Sequence, residues 1–122
     1  MKVLIIEPLQ RPRRADIPHT LRDMQQTVGG YIEIIRPFDD PVVLVCDEEG
    51  KLKGYDLNRA IAGKDIIAGT FFLAGVDGED LTDLSDDLMK KYEELFRSPQ
   101  IFIRSHRGIL ALSDDGIQEV IG

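Results

Sequence analysis

The chain has 122 residues, 43% of them hydrophobic and 30% charged, with a formal net charge of −7. That length suits one domain with a core that needs no metal or disulfide staple, and the composition excludes wholesale disorder. The lone cysteine, Cys46, excludes an internal disulfide and a multi-cysteine metal site, and no apolar run approaches the ~18 residues of a membrane-crossing helix.

Lys2 to Glu7 reads as a buried strand closed by Pro8. Its apolar stretch is too short for a signal-peptide core, so the N-terminus reads as that of a mature cytoplasmic protein. Gln10-Arg11-Pro12-Arg13-Arg14 reads as a basic loop. From Thr20, a plausible N-cap, Leu21, Met24 and Val28 fall at helical spacing, and Gly29-Gly30 stops the helix.

Residues 31–54 read as an antiparallel meander. Tyr31 to Arg36 is one limb, Pro37 to Pro41 a turn, and Val42 to Asp47 the second limb. Glu48-Glu49-Gly50-Lys51 then turns the chain, and Leu52 begins the return. Cys46 ends a β-branched run and is expected to be a buried, unreactive thiol. Asp56 to Ala62 has room for one helical turn, and Asp65 to Gly75 reads as a strand in which Gly69 marks a bulge or a close backbone approach.

Leu81 to Phe96 carries the clearest helical pattern, with a stripe of Leu81, Leu84, Leu88, Tyr92, Leu95 and Phe96. Acids crowd its start, and Lys90, Lys91 and Arg97 follow, in keeping with the helix dipole. Ile101 to Leu112 reads as a hairpin turning at Arg107-Gly108, followed by a short amphipathic tail, Ile117 to Ile121. The elements predict an α+β domain: a mixed or antiparallel sheet of about 4–6 strands, two helices packed on one face, and a C-terminal hairpin. Residues 1–98 form the body, with 99–122 packed on it as hairpin and tail.

The search for chemistry returns little. There is no phosphate-binding Gly-rich loop, and Gly29-Gly30 is a doublet rather than a dinucleotide fingerprint. His19 and His106 lack the spacing of a zinc helix. The acidic run from Asp77 places its glycine at position 2 instead of the position 6 that a calcium loop requires. No histidine–acid pair accompanies a serine or threonine. These absences predict a protein that is not an enzyme and has no cofactor and no metal.

Charge is unevenly spread. Residues 39–96 carry six Lys/Arg against fifteen Asp/Glu, whereas residues 1–38 carry six against four. An acidic surface repels phosphate backbones, which disfavours direct nucleic-acid binding and suits a basic protein partner. The same acids are also what a merely solubilising surface would show.

Four segments, Val28-Gly29-Gly30-Tyr31-Ile32-Glu33, Cys46-Asp47-Glu48-Glu49-Gly50-Lys51-Leu52, Leu57-Asn58-Arg59-Ala60 and Asp65-Ile66-Ile67-Ala68-Gly69-Thr70-Phe71-Phe72, occur in this order with Lys2 to Pro8 ahead of them. Together they resemble a small domain-of-unknown-function family encoded by phages, prophages and conjugative elements of Firmicutes and related bacteria. The likeness covers about residues 1–98. It implies an accessory protein of a mobile element, with no catalytic residues to carry over.

Two functional expectations follow. The first is a non-catalytic inhibitor of a host defence nuclease, of the anti-CRISPR or anti-restriction type. Its partner surface would be Asp77, Glu79, Asp80, Asp83, Asp86 and Asp87, with Glu48, Glu49, Asp39, Asp40 and Asp47. The second is a binder of a nucleotide-type signal, with Gly29, Gly30, Asn58, Arg59 and Thr70 as ligand residues. The glycine amides would approach an anion and Arg59 would fork onto a phosphate. Against this stand a plain helix stop at the glycines and a capped surface turn at Asn58-Arg59.

Overall fold

The computed structural model describes residues 1–61 and 65–121. Three apolar runs form the centre of the main sheet: β1 (Lys2–Ile6), β4 (Val42–Asp47) and β7 (Phe71–Asp77). On the flanks lie β2 (Arg13–Asp16) beside β1 and β3 (Ile32–Ile35) beside β4. The order is β2-β1-β7-β4-β3 with every pairing antiparallel. β8 (Asp80–Thr82) folds back on the end of β7.

The helices α1 (Leu21–Val28) and α2 (Asp86–Leu95) lie on opposite faces of this sheet, which corrects the expectation that both share one face. Met24 and Val28 pack with Val3, Ile5, Val43, Val45 and Phe72. Met89, Tyr92 and Phe96 pack with Leu4, Ile6, Leu44, Phe71 and Leu73. The reason lies in the strands: β1, β4 and β7 are apolar at successive positions, so side chains pointing to both sides must leave water. One single-striped helix covers each side.

Local signals place several ends correctly. Thr20 caps α1 by accepting from the Asp23 N–H, and Gly29 ends it with φ 95°. Elsewhere tertiary pairing overrides the local pattern. α2 starts at its Ser85 N-cap, because Leu81 belongs to β8. Its buried stripe is Met89, Tyr92 and Phe96 with Leu88 half-buried, while Leu95 is 58% exposed. Leu21 is likewise exposed.

The basic segment 11–14 is not all loop, since Arg13 opens edge strand β2. The meander has no third limb: residues 50–54 form turns and Leu52 is exposed. The expected helical turn at 56–62 is instead β5 (Leu57–Ile61), paired with β6 (Asp65–Ala68); Ala62 lies outside the described residues. The strand expected across 65–75 breaks at Gly69, whose φ of 80° sends β6 and β7 into different sheets.

The C-terminal hairpin is present as β9 (Ile101–Ser105) and β10 (Gly108–Ser113), and the tail adds a third strand, β11 (Gly116–Ile121). One face of this small sheet packs on the β5–β6 ribbon through Phe102, Ala111 and Val120 against Leu57, Ala60 and Ile66. The Ala60 N–H donates to Gln100 Oε1 at 2.7 Å, tying the added sheet to the ribbon.

Candidate functional site

Asn58 and Arg59 leave β5 at a register shift, a bulge that turns the Asn58 side chain inward. Asn58 is fully buried, and its Nδ2 donates to Ile6 O at 2.9 Å and to Gly69 O at 2.8 Å. Arg59 is 1% exposed. Its Nε and Nη2 donate to Phe96 O, its Nη2 also to Gln10 O at 2.6 Å, and its Nη1 to Asn58 Oδ1 at 2.9 Å.

Burial lowers the Arg59 pKa to about 10, which leaves a cation at neutral pH. That cation sits at the carbonyl end of α2, where the helix dipole favours positive charge. The expectation of a phosphate fork is therefore corrected. The Asn58 and Arg59 donors already serve backbone carbonyls and the Asn58 side-chain oxygen, and the guanidinium is almost wholly buried.

Gly29, Gly30 and Thr70 fare differently. Gly29 and Thr70 do line one open cleft of about 470 Å³, with Gln26, Thr27, Tyr55 and Asp56 around them. Yet the amides of Gly29 and Gly30 both donate to Gln25 O, at 2.8 and 3.1 Å, so neither is free for an anion. What α1 turns outward here is its C-terminal, carbonyl end. Gly29 O accepts from Tyr55 Oη and Lys53 Nζ, each at 3.3 Å. This corrects the reading of the doublet as an amide cradle. The exposed Asp56 carboxylate beside the cleft disfavours an anion there.

Tyr55 and Lys53 have no part in the expectations from sequence, and Asp47 enters them only as a surface acid. Lys53 Nζ lies 2.7 Å from Asp47 Oδ2. Burial opposes the Asp47 charge, but the Lys53 ammonium and the Glu49 N–H outweigh it and hold the carboxyl below its usual range. The available signal was an aspartate ending a fully apolar strand. A charge at that position needs a partner, and the following turn offers two lysines, of which Lys53 pairs with Asp47 and Lys51 with Asp65.

The acids separate into two groups. Asp77, Glu79 and Asp80 sit on the β7–β8 hairpin, and Asp83, Asp86 and Asp87 follow at the entrance of α2; all six are exposed. Glu48 and Glu49 are also exposed but lie at the far end of β4, ~20 Å away along a six-residue strand. Asp40 and Asp47 serve the fold instead. Asp40 binds Lys91 and Tyr92, and Asp47 is buried with Lys53.

Within the nearer group, Asp83 Oδ1 accepts from the Lys2 N–H at 2.8 Å, and Asp86 pairs with Arg14 and Lys90. Asp77, Glu79, Asp80 and Asp87 enter no ion pair among the described residues. No three His, Cys, Asp or Glu side chains among those residues converge tightly enough to hold a metal ion, so these acids stand as separate charges.

A family model described as a domain of unknown function, DUF3846, matches residues 1–97. The chain belongs to the DUF3846 family. No curated protein and no solved structure matches it. The DUF3846 segment ends one residue beyond Phe96, the C-cap that Arg59 closes, and so holds the main sheet, both helices and the β5–β6 ribbon. The acidic end and the Tyr55 cleft both lie inside DUF3846, and the β9–β11 sheet lies outside it. No helix of the described residues is long and apolar enough to cross a membrane.

Proposed function

We propose that the protein works without catalysis, by presenting the acidic end of its main sheet to a partner protein with a basic surface. The observation that carries this reading is the set Asp77, Glu79, Asp80 and Asp87: four exposed carboxylates, three on the β7–β8 hairpin and one in the first turn of α2, without internal counter-charges among the described residues. Exposed, unpaired charge of one sign accelerates encounter with the opposite sign and keeps nucleic acid away. The resemblance to accessory proteins of phages and conjugative elements supports a finer form, in which the partner is a host defence nuclease approached through its DNA-binding surface.

The test is capture of host proteins on the immobilised chain, with a variant carrying Asp77→Lys, Glu79→Lys, Asp80→Lys and Asp87→Lys alongside. A nuclease retained by the wild type and lost by the variant, with an association rate that falls as salt rises, is the expected result. Equal retention by both would show the acids to be a solubilising surface.

A second reading, a small-ligand binder, rests on the cleft around Tyr55 and Thr70. With the exposed Asp56 carboxylate on its wall, that cleft suits a neutral or cationic ligand better than a nucleotide phosphate. A small molecule retained in native mass spectrometry would favour it.

A further inference from the structure

The β9–β11 sheet has two different faces. Leu112 lies opposite Ile101 and Ile117, and Leu110 opposite Ile103 and Glu119. Because side chains alternate along a strand, Ile101, Ile103, Leu110, Leu112 and Ile117 share the face turned away from the β5–β6 ribbon. Three of them are strongly exposed: Ile101 at 59%, Ile103 at 48% and Ile117 at 73%. Single exposed aliphatic residues are ordinary, but five adjacent ones on one sheet face mark an interaction surface. Glu119, the one charge in these rows, sits on edge strand β11.

The two ends of this face carry opposite charge. Arg107 occupies the β9–β10 turn, and Asp114 and Asp115 form the β10–β11 turn at the other end. All three are exposed, and none enters an ion pair among the described residues. A surface that is apolar in the middle, basic at one end and acidic at the other is complementary to itself when turned around.

We propose that this face docks on the same face of a second copy of the chain. The two-fold axis lies in the interface and runs across the strands, so that the basic turn of each copy meets the acidic turn of the other. Such an isologous contact closes at two copies and covers the isoleucines of both. Three strands ~4.8 Å apart and about five residues long offer far less than the ~800 Å² per partner of a standard stable interface. The dimer is therefore weak and depends on concentration and salt.

The experiment is sedimentation velocity over a wide concentration range at low salt. The wild type is expected to shift with concentration toward twice the 13.7 kDa chain mass. Ile103→Glu is expected to keep the chain monomeric with an unchanged circular dichroism spectrum. Ile117→Glu, on the edge strand, gives the same readout should Ile103→Glu misfold. Arg107→Glu and Asp114→Arg should each weaken the dimer several-fold, and the two together should restore it, because the swap recreates the complementary ends. A chain that stays monomeric up to hundreds of micromolar overturns the proposal, whether or not it sediments with phosphatidylcholine vesicles. So does a dimer indifferent to both glutamate variants.

Discussion

The guanidinium of Arg59 donates to the Phe96 carbonyl oxygen from both Nε, at 3.3 Å, and Nη2, at 3.0 Å. A side chain of the β5–β6 ribbon thereby closes the C-terminal end of α2 and, through Gln10 O, holds the turn after β1 as well. Arg59→Ala removes all of these donors from buried carbonyls, and each orphaned group is costly. We expect a loss of roughly 2–4 kcal/mol in urea unfolding. Arg59→Lys should recover only part of it, since a point charge cannot span the same set of acceptors. A melting temperature unchanged in Arg59→Ala would refute the structural role.

Gly69 is held by two separate constraints. Its φ is 80°, and a Cβ there would lie 2.6 Å from Tyr55 Cδ2. Gly69→Ala is expected to destabilise by about 1–3 kcal/mol. Adding Tyr55→Ala should remove the clash and leave the backbone strain. The measurement is a double-mutant cycle in denaturant; strict additivity of the two changes would mean that the ring does not press on Gly69.

Asp40 supplies a pH dependence. The Lys91 ammonium and then the Tyr92 hydroxyl hold its carboxyl below the usual range. A folded pKa below the unfolded one gives stability that is complete above the ordinary carboxylate pKa of about 4 and disappears as pH falls through the lower folded value. The difference in melting temperature between wild type and Asp40→Asn should thus be greatest near neutrality and close in acid. A gap constant down to the acid limb would exclude this linkage.

Cys46 is buried, and loss of solvent, followed by the nearby Glu33 carboxylate, pushes its thiol up to about 12. Native protein at pH 8 should react with a disulfide reagent only at the rate at which it opens, and rapidly once unfolded in urea. Immediate stoichiometric labelling of the native chain would contradict the burial.

Charge reversal at the acidic end should separate two kinds of carboxylate. Asp83→Lys with Asp86→Lys breaks the bond to the Lys2 amide and the Arg14 pairing, so it should lower the melting temperature. Asp77→Lys with Glu79→Lys touches no such partner and should leave it nearly unchanged. Thermal melts of the two variants at equal salt decide this, and equal losses would erase the distinction.

What the sequence determined by itself is what neighbouring residues determine. The continuous apolar runs of β1 and β4 and the start of β7, the Thr20 cap, the Gly29 stop and the C-terminal hairpin all follow from residues within a few positions of one another. The α+β class was legible for the same reason. The break at Gly69 was half legible: glycine marked the place, but a change of sheet has no local signature.

Only the tertiary structure decided where the helices sit and what Asn58 and Arg59 do. An amphipathic stripe says that a helix must be covered; it does not say by which side of a sheet. Asn58 reaches Ile6 from 52 positions away and Arg59 reaches Phe96 from 37. Those acceptors are backbone carbonyls, which every residue possesses, so no side-chain pattern announces them. The same holds for the acids. Asp86 and Asp87 are identical neighbours in the chain, and the position of Arg14 on edge strand β2 makes the first a structural ion pair and leaves the second facing water.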